Sequence, residues 1–106
     1  MSKRLTNAAF ETEILKSDLP VVLYFYLPWY RRCKEFTPIL EQIRKDFEGR
    51  VKFGKIDFEC NVDWAIQFNV KIMPALLFFT AGKQVEFMEE PDELEIRKRL
   101  NSLLIN

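Results

Sequence analysis

The chain has 106 residues, which fits one domain, and 48% of them are apolar with ten phenylalanines, enough to bury a core. Sixteen basic residues balance sixteen acidic ones, which argues against nucleic acid or an anionic membrane as the main partner. There is no histidine, and Cys33 and Cys60 are the only cysteines, so neither a structural zinc set nor a disulfide scaffold is available and no metal or cofactor is expected.

Along the chain, Thr6 is placed to cap a short helix reaching about Lys16, with Phe10 and Ile14 on one face. The opening stretch "MSKRLTNAAFETEIL" holds no apolar run long enough for a signal peptide, and the longest apolar runs are too short to span a membrane. A cytoplasmic protein with reduced thiols is therefore expected. "PVVLYFY" (20–26) is short, β-branched and aromatic, and predicts a strand buried on both faces. From Arg31 to Glu48 the period becomes helical through Phe36, Ile39, Leu40, Ile43 and Phe47; Pro38 predicts a kink and Gly49 a stop.

"VKFGKIDF" (51–58) alternates as a second strand. Trp64, Ala65 and Phe68 mark a short helix with Asn61 as its cap, and "ALLFF" (75–79) is a further buried strand. "TAGK" (80–83) predicts a hairpin turn into "QVEFM" (84–88). Pro91 at a first-turn position, with Asp92, Glu93 and Glu95, opens a last helix; Arg97, Lys98 and Arg99 fall in its second half, which suits the helix dipole. Helices separate the first three strands, so those strands are expected to pair in parallel, and the hairpin adds an antiparallel edge. The fold class is α/β: one domain over 1–106, a central mixed sheet with helices on both faces.

"PVVLYFYLPWYRRCKEFTPILEQI" resembles the thioredoxin family's buried strand, Pro-Trp-Cys-x-x-Cys-Lys motif and proline-kinked helix. "KIMPALLFF", Lys55 and Gly82 also match that family in order and spacing. The resemblance covers nearly the whole chain. It implies a thioredoxin-like fold, a cis bond before Pro74, and a groove beside Pro74 that holds an extended substrate segment.

Two departures bear on activity. The family's first cysteine attacks a disulfide as thiolate and the second resolves the mixed disulfide. Here the first position is Tyr30, which cannot form a disulfide and, as a phenol, is a weak nucleophile at neutral pH. Cys33 matches only the resolving position. The family's buried carboxylate, which exchanges protons with the resolving thiol, is replaced by Tyr24, which fills the space and makes one hydrogen bond.

Two readings of Cys33 stay open. It is either a half-buried structural thiol or a monothiol whose thiolate is favoured by Arg31, Arg32, Lys34 and the helix N-terminus, exchanging with glutathione. Arg31 and Arg32 oppose the helix dipole at a mild cost, which suggests use: with Trp29, Tyr30, Met73 and Pro74 they form a basic, aromatic groove suited to a protein or extended peptide segment, an acidic one included. Lys55 is expected to reach solvent or Asp57. Cys60 falls in a loop, too far from Cys33 for a disulfide to be expected. The leading expectation is a redox-inactive binding module; the alternative is a monothiol oxidoreductase in cell redox homeostasis.

Overall fold

A computed structural model describes residues 3–4 and 11–105. Its strands are β1 (Lys3–Arg4), β2 (Val21–Tyr26), β3 (Lys52–Asp57), β4 (Ala75–Thr80) and β5 (Lys83–Glu89); its helices are α1 (Arg31–Asp46), α2 (Val62–Gln67) and α3 (Glu93–Leu104). The strands form one five-stranded sheet in the order β1-β3-β2-β4-β5. Of the expected first helix, Glu11–Leu15 forms a single π-helical turn, and Thr6 and Phe10 lie outside the described residues.

β2 is apolar throughout because both its faces are covered. Its alternation sends Val21, Leu23 and Phe25 into one core with Ile56, Trp64, Leu77 and Phe79, and Val22 and Tyr24 into a second core with Phe36, Ile43, Phe78, Ile96 and Leu100. α2 covers the first core, while α1 and α3 lie side by side over the second, joined at their edge by Arg97 to Asp46 at 2.9 Å. The result is the expected mixed sheet with helices on both faces.

The expected parallel pairing of the first three long strands is corrected. β2 and β3 are parallel, but β4 runs antiparallel to β2 on its other side. α2 has only six residues, so it rises about 9 Å, whereas a six-residue strand covers about 20 Å. The connection therefore never carries the chain back to the starting end of the sheet.

Local chemistry explains the remaining differences. Ile39, read as part of the apolar stripe of α1, is 39% exposed, while Phe36, Leu40, Ile43 and Phe47 are buried. Asn61 occupies the cap position of α2 but spends its amide on the Asp57 carbonyl at 3.0 Å. Pro91 lies before the cap of α3; Asp92 is the cap and accepts from the Glu95 N–H at 2.8 Å. Arg97 and Arg99 sit mid-helix, so their partners are lateral: Arg97 pairs with Glu93 and Asp46, and Arg99 with Glu86.

The hairpin turn requires its glycine. Ala81 and Gly82 both have positive φ, 51° and 78°, the signature of a tight turn whose twist matches its strands. A Cβ on Gly82 would also stand 2.8 Å from the Leu15 carbonyl oxygen. Gly82→Ala is expected to cost roughly 1–3 kcal/mol. Gly49→Ala, also at positive φ but facing open space, is expected to cost less. Thermal melts of the two variants check the difference; equal melting temperatures would contradict the contact with Leu15.

Candidate functional site

The site forms where β2 ends and α1 begins. Tyr24, 1% exposed, points from β2 toward α1. Its hydroxyl lies 3.0 Å from Thr37 Oγ1 and 3.3 Å from the Cys33 carbonyl oxygen. The Thr37 hydroxyl donates to that same carbonyl at 2.8 Å, so the single Tyr24 proton goes best to Thr37 Oγ1. Tyr24 therefore makes a small network where one hydrogen bond was expected. Burial pushes its phenol well above the ordinary range, the Thr37 hydrogen bond opposing, so it is a neutral donor at physiological pH.

Cys33 is 2% exposed, more enclosed than expected, and packs in the first core with Met73 and Phe25. Burial pushes its thiol up, against weaker opposing hydrogen bonds from the Leu27 backbone and Tyr24. The expectation that Arg31, Arg32, Lys34 and the helix N-terminus favour its thiolate is thus corrected: burial outweighs them. Cys60 is exposed in the loop after β3, and neither cysteine is in a disulfide.

Tyr30 occupies the N-cap of α1 in an extended conformation and gives no side-chain cap; the first turn contains no acid. Arg31 and Arg32 begin the helix. Both are engaged within the chain: Arg31 Nε pairs with Glu35 at 3.1 Å one turn on, and Arg32 pairs with Glu90 at 2.8 Å. Both are exposed pairs, worth about 0–1 kcal/mol each.

The Met73–Pro74 peptide bond is cis. The Pro74 carbonyl accepts from the Glu90 N–H at 2.7 Å, which ties the start of β4 to the end of β5. Arg32 and Pro74 line a shallow depression of about 220 Å³ whose floor includes Phe36, Ile39 and Pro91, with the Arg32–Glu90 pair across it. Trp29, 60% exposed, stacks edge-on against Tyr30 at 6.1 Å between ring centroids. Tyr30 in turn packs on the core that holds Cys33 and Met73.

The six residues named from the sequence are thus sorted by depth. Trp29 and Arg31 project outward, Arg32 and Pro74 flank the depression, Tyr30 is half-buried, and Met73 lies beneath. Glu90, absent from the sequence reading of the site, holds φ +48°, a backbone region that side chains disfavour. Lys55, expected to reach solvent or Asp57, is half-buried with its ammonium over the Tyr26 ring, 4.7 Å from the centroid.

The sequence model of thioredoxin matches residues 1–102. The chain belongs to the thioredoxin family. The thioredoxin of Rickettsia bellii is 37% identical over 84 residues, covering 79% of this chain and 80% of its own length. Thioredoxin 1 of a Nostoc species is 31% identical over 85 residues, 80% of this chain and 79% of its own, and the thioredoxin of Pyropia yezoensis is 30% identical over 83 residues, 78% of each. Within this thioredoxin-family frame, the N-cap of α1 carries a tyrosine and the chain's motif cysteine is enclosed. No helix among the described residues is long and apolar enough to cross a membrane.

Proposed function

We propose that residues 1–106 form one thioredoxin-fold module that holds an extended protein segment along Trp29, Tyr30, Arg31, Arg32, Met73 and Pro74, without a dithiol cycle. The observation that carries this reading is the pairing of Tyr30, where an attacking thiol would stand, with a remaining thiol that is 2% exposed. Thiol–disulfide exchange needs an accessible thiolate, and Cys33 offers an enclosed thiol held in its protonated form. The exposed indole of Trp29 beside two arginines supplies the residue types that dominate protein contacts. An acidic segment fits those arginines by displacing their exposed Glu35 and Glu90 carboxylates, and two unpaired cysteines suit a reducing, cytoplasmic setting.

An array of extended peptides probed with the purified protein tests this. Peptides that bind are expected to bind Cys33→Ser equally and to lose about thirtyfold or more in affinity on Trp29→Ala/Arg32→Ala, two contacts of about 1 kcal/mol or more. Binding that vanishes in Cys33→Ser would overturn the reading. The monothiol alternative is addressed in a Cys60→Ser background, where Cys33 is expected to react with iodoacetamide far more slowly at pH 7 than an exposed thiol. A fast reaction, followed by a stable mixed disulfide with glutathione, would favour the alternative instead.

A further inference from the structure

Helical spacing divides the first turns of α1 into two sides. Arg32, Glu35, Phe36 and Ile39 fall on the side of the depression, and Cys33, Lys34, Thr37 and Pro38 fall on the opposite side. The second side opens into a cleft of about 450 Å³, lined by Tyr26, Cys33, Lys34, Thr37 and Lys55 with three apolar residues. This cleft shares no residue with the depression and contains no acidic side chain.

Neither Lys34 nor Lys55 has a carboxylate within 4.0 Å among the described residues. Lys55 is half-buried on β3, and its register partner on β2 is Tyr24, a neutral phenol. Position 24 is thus the paired neighbour of Lys55 on β2, and its neutral tyrosine supplies no negative charge. The Lys55 ammonium rests instead on the Tyr26 ring, which itself lines the cleft. Cation–π contact leaves the ammonium's N–H donors open to a further acceptor.

We propose that this cleft binds a small oxyanion, a phosphate monoester or a dicarboxylate, held between Lys34 and Lys55. The volume exceeds that of a lone phosphate, and the Tyr26 ring and the apolar residues beside it give the rest of such a molecule a wall to lie against. The site lies across α1 from the proposed peptide groove and does not depend on that reading.

Amide NMR titrations of the full chain test it, with inorganic phosphate and with succinate, against chloride at matched ionic strength. The expected result is a saturable set of shifts confined to Tyr26, Lys34, Thr37, Lys55 and their neighbours. Phosphate binding is expected to weaken about tenfold in Lys55→Gln, the loss of one charge-assisted hydrogen bond, and to be unchanged in Lys83→Gln. Tighter binding of phosphate than of succinate assigns the ligand a phosphate group; the reverse assigns it carboxylates. Shifts scattered over lysines outside the cleft, no saturation with either anion, or titrations unaltered by Lys55→Gln would overturn the proposal. If Lys55→Gln fails to fold, Lys34→Gln carries the same expectation.

Discussion

Tyr30→Cys alone is expected to give slow insulin reduction, and Tyr30→Cys/Tyr24→Asp a rate higher by about a hundredfold, the lower range of a well-placed acid–base group. The first substitution places a thiol at the N-cap of α1, where the unsatisfied helix N–H groups and the two arginines favour its thiolate. That thiol would attack a disulfide, and Cys33 would then have to lose its proton to resolve the intermediate. In the single variant the side chain acting on the Cys33 thiol is still Tyr24, whose phenol is pushed up by burial and already donates within the Thr37–Cys33 network. Aspartate at 24 supplies a base and faces Lys55, its register neighbour on β3. The insulin turbidity assay separates the two variants. Equal rates would show that Tyr24 has no bearing on proton transfer at this site.

Tyr24 also carries the second large effect. Tyr24→Ala empties a fully enclosed aromatic site between Tyr26 and Phe36, both within 5.5 Å by ring centroid, and is expected to cost about 3–5 kcal/mol. Tyr24→Phe keeps the ring and removes the hydroxyl, for about 1 kcal/mol. The enclosed phenol and the Cys33 thiol also make stability depend on pH in alkali. In the folded chain the Cys33 thiol and the Tyr24 phenol both hold their protons to higher pH than they do when unfolded. The folded state therefore binds more protons than the unfolded state as pH rises, and stability falls. It is fully present below about pH 8 and declines as the pH climbs through the ordinary thiol and then phenol ranges. Cys33→Ser is expected to remove the first part of the decline and Tyr24→Phe the second. Urea midpoints from pH 7 to 10.5 read this directly, and a midpoint independent of pH would contradict the enclosed, protonated pair.

The core of the fold was legible because few alternatives fit its residues. A seven-residue apolar, β-branched run bounded by proline and a turn leaves little but a doubly covered strand, and Phe36, Leu40, Ile43 and Phe47 repeat at a period only a helix satisfies. What was not legible depends on distance. The antiparallel direction of β4 follows from how far a six-residue helix travels, which periodicity does not express. β1 is two charged residues paired with Gly54 and Lys55 of β3, and it leaves no pattern of its own. At the site, the residue types at 24, 30 and 33 announced the altered chemistry. The engagement of Arg32 by Glu90 joins residues far apart in sequence, and Lys55 on Tyr26 follows from strand register. Glu90 carries no sequence signal of a site; its pair with Arg32 and its backbone bond to Pro74 place it at the depression.

Insulin reduction in the presence of dithiothreitol, with the unmodified protein and with Cys33→Ser, tests the central claim most directly. An enclosed protonated Cys33 behind a tyrosine predicts no acceleration over dithiothreitol alone for either protein. A clear rate for the unmodified protein that Cys33→Ser abolishes would show that Cys33 turns over disulfides, and would contradict the account.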